Sequence, residues 1–186
     1  MEERGVLMKI LVFSDSHGRT LDMYGLIESE QPDAVIHLGD HYEDACDLRR
    51  SYPNLVIYAV RGNNDFDPDA PLFSVIAPAG VRMYLTHGHR ERAVWSQPGN
   101  VGARAAEEGC TVALYGHTHI RHDQTEGGVR VMNPGSITLP RDGQASCLRL
   151  EVQDGKLLEA CFLDTDGAPL GPEMPKPKQH KRFRWF

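Results

Sequence analysis

Residues Lys9 to Gly18 read KILVFSDSHG: a short apolar run rich in aliphatic and aromatic side chains, then an abrupt polar one. Residues 9–14 have the pattern of a buried strand, and Asp15-Ser16-His17-Gly18 is set at its carboxyl end. A helix-like stretch follows from about Arg19 to Glu30, with Leu21, Tyr24 and Ile27 at roughly three-residue intervals, until Pro32 ends it. The pair makes a β-α unit.

The pattern then recurs. Ala34 to Leu38 is strand-like, Asp44 to Arg50 helix-like, and Leu55 to Val60 strand-like again. Their ends carry Gly39-Asp40 and Gly62-Asn63-Asn64-Asp65, in keeping with sites that lie beyond the carboxyl ends of strands in open α/β sheets. Leu72 to Ala77 and Val81 to Thr86 flank Pro78-Ala79-Gly80 and predict a hairpin leading into His87-Gly88-His89. Gln97 to Glu108 is expected to be helical, weakened early by Pro98, Gly99 and Gly102. Val112 to Tyr115 is a further strand, delivering Gly116-His117-Thr118-His119. Beyond it Gly127-Gly128 and Asp154-Gly155 mark turns between alternating strands. Two facing mixed sheets with outer helices, a layered α/β/β/α sandwich, are expected.

The 186 residues suit one domain, with 40% hydrophobic and 25% charged residues and no apolar run near the roughly 18 residues of a membrane span. The opening MEERGVLMKI lacks the apolar core of a secretory signal, and Cys46, Cys110, Cys147 and Cys161 form no C-x-x-C pair. Reduced cysteines and a cytoplasmic location are expected. The net charge of −6 hides an asymmetry: residues 173–186 hold five Lys or Arg against one Glu, leaving 15 basic and 25 acidic residues before them, a net −10. Such a body argues against gripping long nucleic acid and suits cations. The tail is Pro-rich and basic, which predicts an extended segment, with Phe183, Trp185 and Phe186 as contacts if it serves as an arm.

Five polar clusters thus fall at five strand ends: Asp15-x-His17, Gly39-Asp40, Gly62-Asn63, His87-Gly88-His89 and Gly116-His117-x-His119. Carboxylate, imidazole and amide donors together suit Mn, Fe, Ni or Zn better than calcium or thiolate-seeking metals. In an extended segment residues i and i+2 project to one side, so Asp15 with His17, and His117 with His119, are expected to converge. Glycine before Asp40, Asn63 and His117 lets the backbone approach closely. His37, His41, His122 and His180 read as ordinary core or surface histidines, and Ser14 and Ser16 as bystanders.

The stretches KILVFSDSHG, VIHLGD, VRGNND, YLTHGH, LYGHTH and VMNPGSITLPR, in this order from about Lys9 to Asp164, resemble the calcineurin-like metallophosphoesterase superfamily, especially its small single-domain phosphodiesterase branch. The resemblance implies residues 8–166 as the enzyme domain, residues 1–7 as an extension and residues 167–186 as the tail. It implies Asp15, His17 and His119 as ligands of one divalent cation, Asn63, His87 and His117 as ligands of a second, and Asp40 as the bridge. The expected cofactors are two Mn²⁺ ions, with Ni²⁺, Fe²⁺ or Zn²⁺ as alternatives, and the expected substrate is a small phosphate ester, a phosphodiester before a monoester. A homo-oligomer is compatible with this reading. Two cations roughly 3.5–4 Å apart can hold a hydroxide that attacks phosphorus. Asp40, Asn63 and Asn64 are the residues assigned to catalysis.

Asn64 departs from the wider family, where a histidine assists the leaving group. An amide cannot donate a proton near neutrality. Arg61 or Asn64 is a candidate substrate contact, Asp65 a candidate partner for a ligating imidazole, and His89 a neighbour of that partner or a substrate contact. The competing reading is a non-catalytic scaffold, as in the retromer subunit of this fold. The complete set of ligand-competent residues argues against it.

Overall fold

The computed structural model describes residues 5–171. Two five-stranded sheets face each other. In chain order the elements are β1 (Met8–Phe13), α1 (Leu21–Glu30), β2 (Ala34–His37), α2 (Tyr42–Ser51), β3 (Val56–Ala59), β4 (Phe73–Ile76), β5 (Met83–Thr86), α3 (Val101–Glu107), β6 (Val112–Leu114), β7 (Arg121–Glu126), β8 (Val129–Pro134), β9 (Cys147–Gln153) and β10 (Lys156–Leu163). The strand orders are β10-β9-β1-β2-β3 and β4-β5-β6-β8-β7.

Strand β1 shows why its sequence is apolar on consecutive positions. Successive side chains point to opposite faces: Ile10 and Val12 enter the core between the sheets with Met83, Leu85 and Leu114. Leu11 and Phe13 pack under α1 and α2 with Met23, Leu26 and Leu48. A third cluster seals α3 to the other sheet through Val101, Ala105, Ala113 and Val131. Helix, sheet, sheet and helix are therefore stacked as the hydrophobic pattern requires, in the expected α/β/β/α sandwich.

Several boundaries differ from the sequence reading for local reasons. The third helix starts at Val101 rather than Gln97, because Gly99 sits at φ 62° and the Asn100 N–H donates to Glu91 O instead of serving the helix. The second helix is longer than expected, beginning at Tyr42 with His41 in a left-handed conformation at its start. The hairpin of β4 and β5 forms as an antiparallel pair.

The four cysteines are free. Among the described residues no helix is long and apolar enough to cross a membrane. Gly5 is tied to the β9–β10 turn through Asp154 and Gln153. Residues at the start of the expected tail turn back on β10, with Leu170 N–H donating to Phe162 O and a bridge between Leu163 and Pro169. The remainder of that tail, with His180, Phe183, Trp185 and Phe186, lies outside the described residues.

Candidate metal centre

Strands β1, β2 and β3 run parallel, as do β5 and β6, so their carboxyl ends gather five loops at one edge of the sandwich. Backbone bonds zip the loops together beyond the strands. Asp15 N–H donates to Gly39 O at 3.0 Å, His17 N–H to Asp40 O at 3.3 Å, and Gly116 N–H to His87 O at 3.1 Å.

The expected extended geometry is not what makes the i, i+2 pairs converge. Asp15, His17, Asp40, His117 and His119 have φ of 55°, 49°, 55°, 67° and 57°. These are left-handed conformations, uncommon for residues other than glycine, and they turn each loop sharply enough to aim its side chains inward. Strained backbone of this kind persists where surrounding contacts enforce it, and it clusters at functional sites.

Donor atoms of Asp15, His17, Asp40 and His119 lie within 4.8 Å of one another. His119 Nε2 is 3.2 Å from Asp15 Oδ1 and 3.4 Å from His17 Nε2. His87 Nε2 is 3.3 Å from Asp40 Oδ1 and 3.9 Å from Asp15 Oδ1. The His117 ring centroid stands 5.2 Å from that of His87. Asn63 is solvent-exposed in the turn after β3, and the residue of that turn seen to reach the cluster is its neighbour: Asn64 donates its backbone N–H to Asp40 Oδ1 at 3.0 Å and its amide to Asp40 Oδ2 at 2.7 Å.

Each carboxylate and two of the rings are oriented from behind. Ser14 Oγ and the His117 N–H both donate to Asp15 Oδ2, at 2.7 and 3.0 Å, which turns Oδ1 toward the centre. His87 Nδ1–H donates to Leu38 O at 2.6 Å and His119 Nδ1–H to Leu139 O at 2.7 Å. With the proton on Nδ1, each neutral ring turns its Nε2 lone pair toward the centre, beside a carboxylate oxygen. Asp15 Oδ1 and His87 Nε2 are buried with no hydrogen-bond partner. Buried polar atoms left in this way are rare and call for a reason. Divalent cations held here would supply one, each accepting the lone pair beside it.

The electrostatics agree. Burial alone raises the Asp15 carboxyl, but His119, His87 and the Ser14 hydroxyl outweigh it and hold it below the usual range. Asp40 is likewise held low against burial by His87 and Asn64. Burial lowers His87 and His119, yet their carboxylate partners raise both. His117 and His89 are pushed down by burial and by the nearby His87. The pocket favours anionic carboxylates and positive charge beside them.

Two glycines show how closely the loops pack. A β-carbon on Gly62 would lie 2.1 Å from Asp40 Oδ1 and 2.5 Å from Asp40 N, and one on Gly116 would lie 1.9 Å from Ser14 Oγ.

Other expectations are corrected. Asp65 holds backbone rather than an imidazole: its Oδ2 accepts Asp40 N–H and Gly62 N–H, and its Oδ1 accepts His41 N–H and Tyr42 N–H, over 2.7–3.1 Å. Arg61 donates to Asp67 O and so braces its own loop. Half-buried His89 lies beside His87 and His117, with ring centroids 5.5 and 6.2 Å away.

Neither Ser14 nor Ser16 is a bystander. The buried His37 is pushed down to about 4 by desolvation. It accepts Gly39 N–H at Nδ1, its Nε2–H reaches Ser16 Oγ at 2.8 Å, and Ser16 donates to Asp44 Oδ2 at 2.6 Å. The NPGSIT segment, quoted as a motif without a role, clamps the site. Ser136 and Thr138 hydroxyls donate to Asp15 O, and Asn133 donates to Gly116 O.

The chain is 34% identical over 137 residues to the probable metallophosphoesterase YsnB of Bacillus subtilis, covering 72% of this chain and 78% of that one. It is 35% identical over 95 residues to the phosphodiesterase YfcE of Escherichia coli K12, 47% of each. A predicted phosphoesterase from Streptococcus pneumoniae superposes with TM-score 0.71 at 28% identity, covering 90% of this chain and 95% of that one. Vacuolar protein sorting 29 from Cryptosporidium parvum shares the fold, with TM-score 0.65 at 20% identity over 87% and 100% of the two chains. Residues 8–155 match the calcineurin-like phosphoesterase superfamily domain, and the chain belongs to that superfamily.

Proposed function

We propose that the protein is a two-metal phosphodiesterase acting on a small phosphodiester in the cytoplasm, with Mn²⁺ as the preferred ion. The observation that carries this reading is the buried, unpartnered pair Asp15 Oδ1 and His87 Nε2 at the meeting point of five strand-end loops. In this reading Asp15, His17 and His119 hold one cation, Asn63, His87 and His117 the other, and Asp40 is shared.

Divalent cations at such a site supply Lewis acidity, lowering the pKa of water and offsetting charge on a phosphoryl group. The chain's own residues do the rest. Leu38 O and Leu139 O keep His87 and His119 in the tautomer with a free Nε2. Ser14 and the His117 amide keep Asp15 Oδ1 aimed inward. Asn64 orients Asp40 through two donated bonds and has no acidic proton to give a departing oxygen. A good leaving group is therefore part of the proposal. The phosphodiesterase name of the Escherichia coli relative supports the diester over the monoester.

The test is metal analysis of the purified protein followed by assays of bis(p-nitrophenyl) phosphate and p-nitrophenyl phosphate with Mn²⁺, Ni²⁺, Zn²⁺ or Mg²⁺. Two bound ions and faster diester hydrolysis are expected. Faster monoester hydrolysis replaces the diester reading with a phosphomonoesterase. Trace metal after reconstitution and no hydrolysis of either ester points to a scaffold.

A further inference from the structure

A cleft of about 170 Å³ lined by Ala93, Val94, Trp95, His117, Thr118 and Arg141 shares His117 with the candidate metal centre. Drug-sized ligands occupy pockets of roughly 300–1,000 Å³, so this one suits a single substituent. Trp95 is 56% exposed, and its backbone is left-handed at φ 52°, an outlier for a bulky aromatic residue. The loop enforces it: Val94 and Gln97 exchange both backbone hydrogen bonds at 2.9 Å, and Ala93 N–H anchors the loop to Gly88 O beyond β5.

On the cleft's other side Arg141 N–H donates to His119 O at 2.9 Å, tying its backbone to a second candidate ligand. Among the described residues no carboxylate pairs with its guanidinium and no side-chain hydrogen bond engages it. An exposed indole held in strain and an unpaired guanidinium thus flank the same histidine. An indole is a stacking platform for planar rings, and a guanidinium matches phosphoryl oxygens.

We propose that this cleft is a substrate subsite that selects a nucleoside phosphodiester: the nucleobase of the ester group retained on phosphorus stacks on Trp95, and Arg141 donates to a non-bridging phosphoryl oxygen. The inference rests on the phosphoesterase reading above and adds the substrate class.

The test compares two esters with one leaving group, thymidine 5′-(p-nitrophenyl phosphate) and methyl p-nitrophenyl phosphate. In both, water adds to phosphorus as the bond to p-nitrophenolate breaks, releasing thymidine 5′-phosphate or methyl phosphate. W95A should lower the ratio of the two kcat/KM values about 5- to 150-fold, the range for stacking of one base, and W95F should restore most of it. R141Q should lower kcat/KM for both esters together by about tenfold or more, leaving their ratio in place.

An unchanged ratio in folded W95A overturns the proposal, as does an R141Q effect confined to one ester. A binding measurement separates this from failure of the parent reading. The chain has two tryptophans, so Trp95 is the sole tryptophan emitter in a W185F background. There, metal-loaded protein should show static quenching by thymidine 5′-phosphate and none by methyl phosphate. Absence of that difference overturns the subsite even if esters are cleaved; its presence without hydrolysis supports the subsite and sinks the catalytic reading.

Discussion

Replacing Asp65 with Asn removes one oxygen from a carboxylate that takes four backbone N–H groups, those of Asp40, His41, Tyr42 and Gly62. Whichever way the amide turns, two of those donors then face its NH₂ group. Hydrogen bonds to a charged partner contribute about 1.5–3 kcal/mol each, so two lost bonds give roughly 3–6 kcal/mol. Asp65 is only half-buried, and solvent screening brings this down to about 2–4 kcal/mol. That is a large share of the ~5–15 kcal/mol that stabilises a typical domain. With a urea slope near 2 kcal/mol/M, the midpoint should fall by about 1–2 M. Because the same bonds hold Asp40 at φ 55°, metal content at limiting concentration should fall in protein that is still folded. Urea unfolding followed by circular dichroism, with metal analysis on the same samples, checks both. A midpoint within about 0.2 M of wild type, an unaltered slope and full metal content would refute the argument that Asp65 braces the site.

Three further outcomes are expected. Asp40→Ala should bind at most one cation in metal analysis and lose roughly 10³-fold or more in diester turnover. Acidification should destabilise the fold through His37: its folded value of about 4 lies below the ordinary 6.5, so stability is full above about pH 6.5 and falls toward pH 4. That loss is about 1.4 kcal/mol per pH unit and roughly 3 in all; urea midpoints at pH 7, 6 and 5 check it, and His37→Gln should flatten the slope. With Asn64 in place of an acid, rates should rise steeply with leaving-group stability, and matched aryl and alkyl phosphodiesters measure this. A rate-limiting chemical step insensitive to leaving-group pKa would instead require another proton donor.

The layered fold was legible because both faces of β1 are buried: apolar residues at four consecutive positions, Ile10 to Phe13, leave few alternatives. The candidate site was legible because each loop pairs glycine with metal-ligating residue types. What has no local signature depends on bonds between a side chain and distant backbone. Asp65 reaches residues 23–25 positions away, and Ser136 reaches Asp15 across 121; neither has a local pattern to betray it. The left-handed turns at Asp15 and His117 have no signature of their own, because the spacing i, i+2 fits an extended segment equally well. No local pattern marks Trp95, whose place beside His117 comes from tertiary structure alone.

Strand β1 is paired on one side by β2 and on the other by β9, where Met8 lies opposite Val152. These partners differ in when the ribosome delivers them. At about 5–20 residues per second, the stretch of roughly 110 residues between β2 and β9 takes some 5–22 s to emerge. For that interval the nascent chain carries Asp15, His17 and Asp40 on a half-built sheet whose β1 edge is open. Folding that depends on such long-range pairing is slow and exposed to aggregation, and chaperone demand should be concentrated in that window.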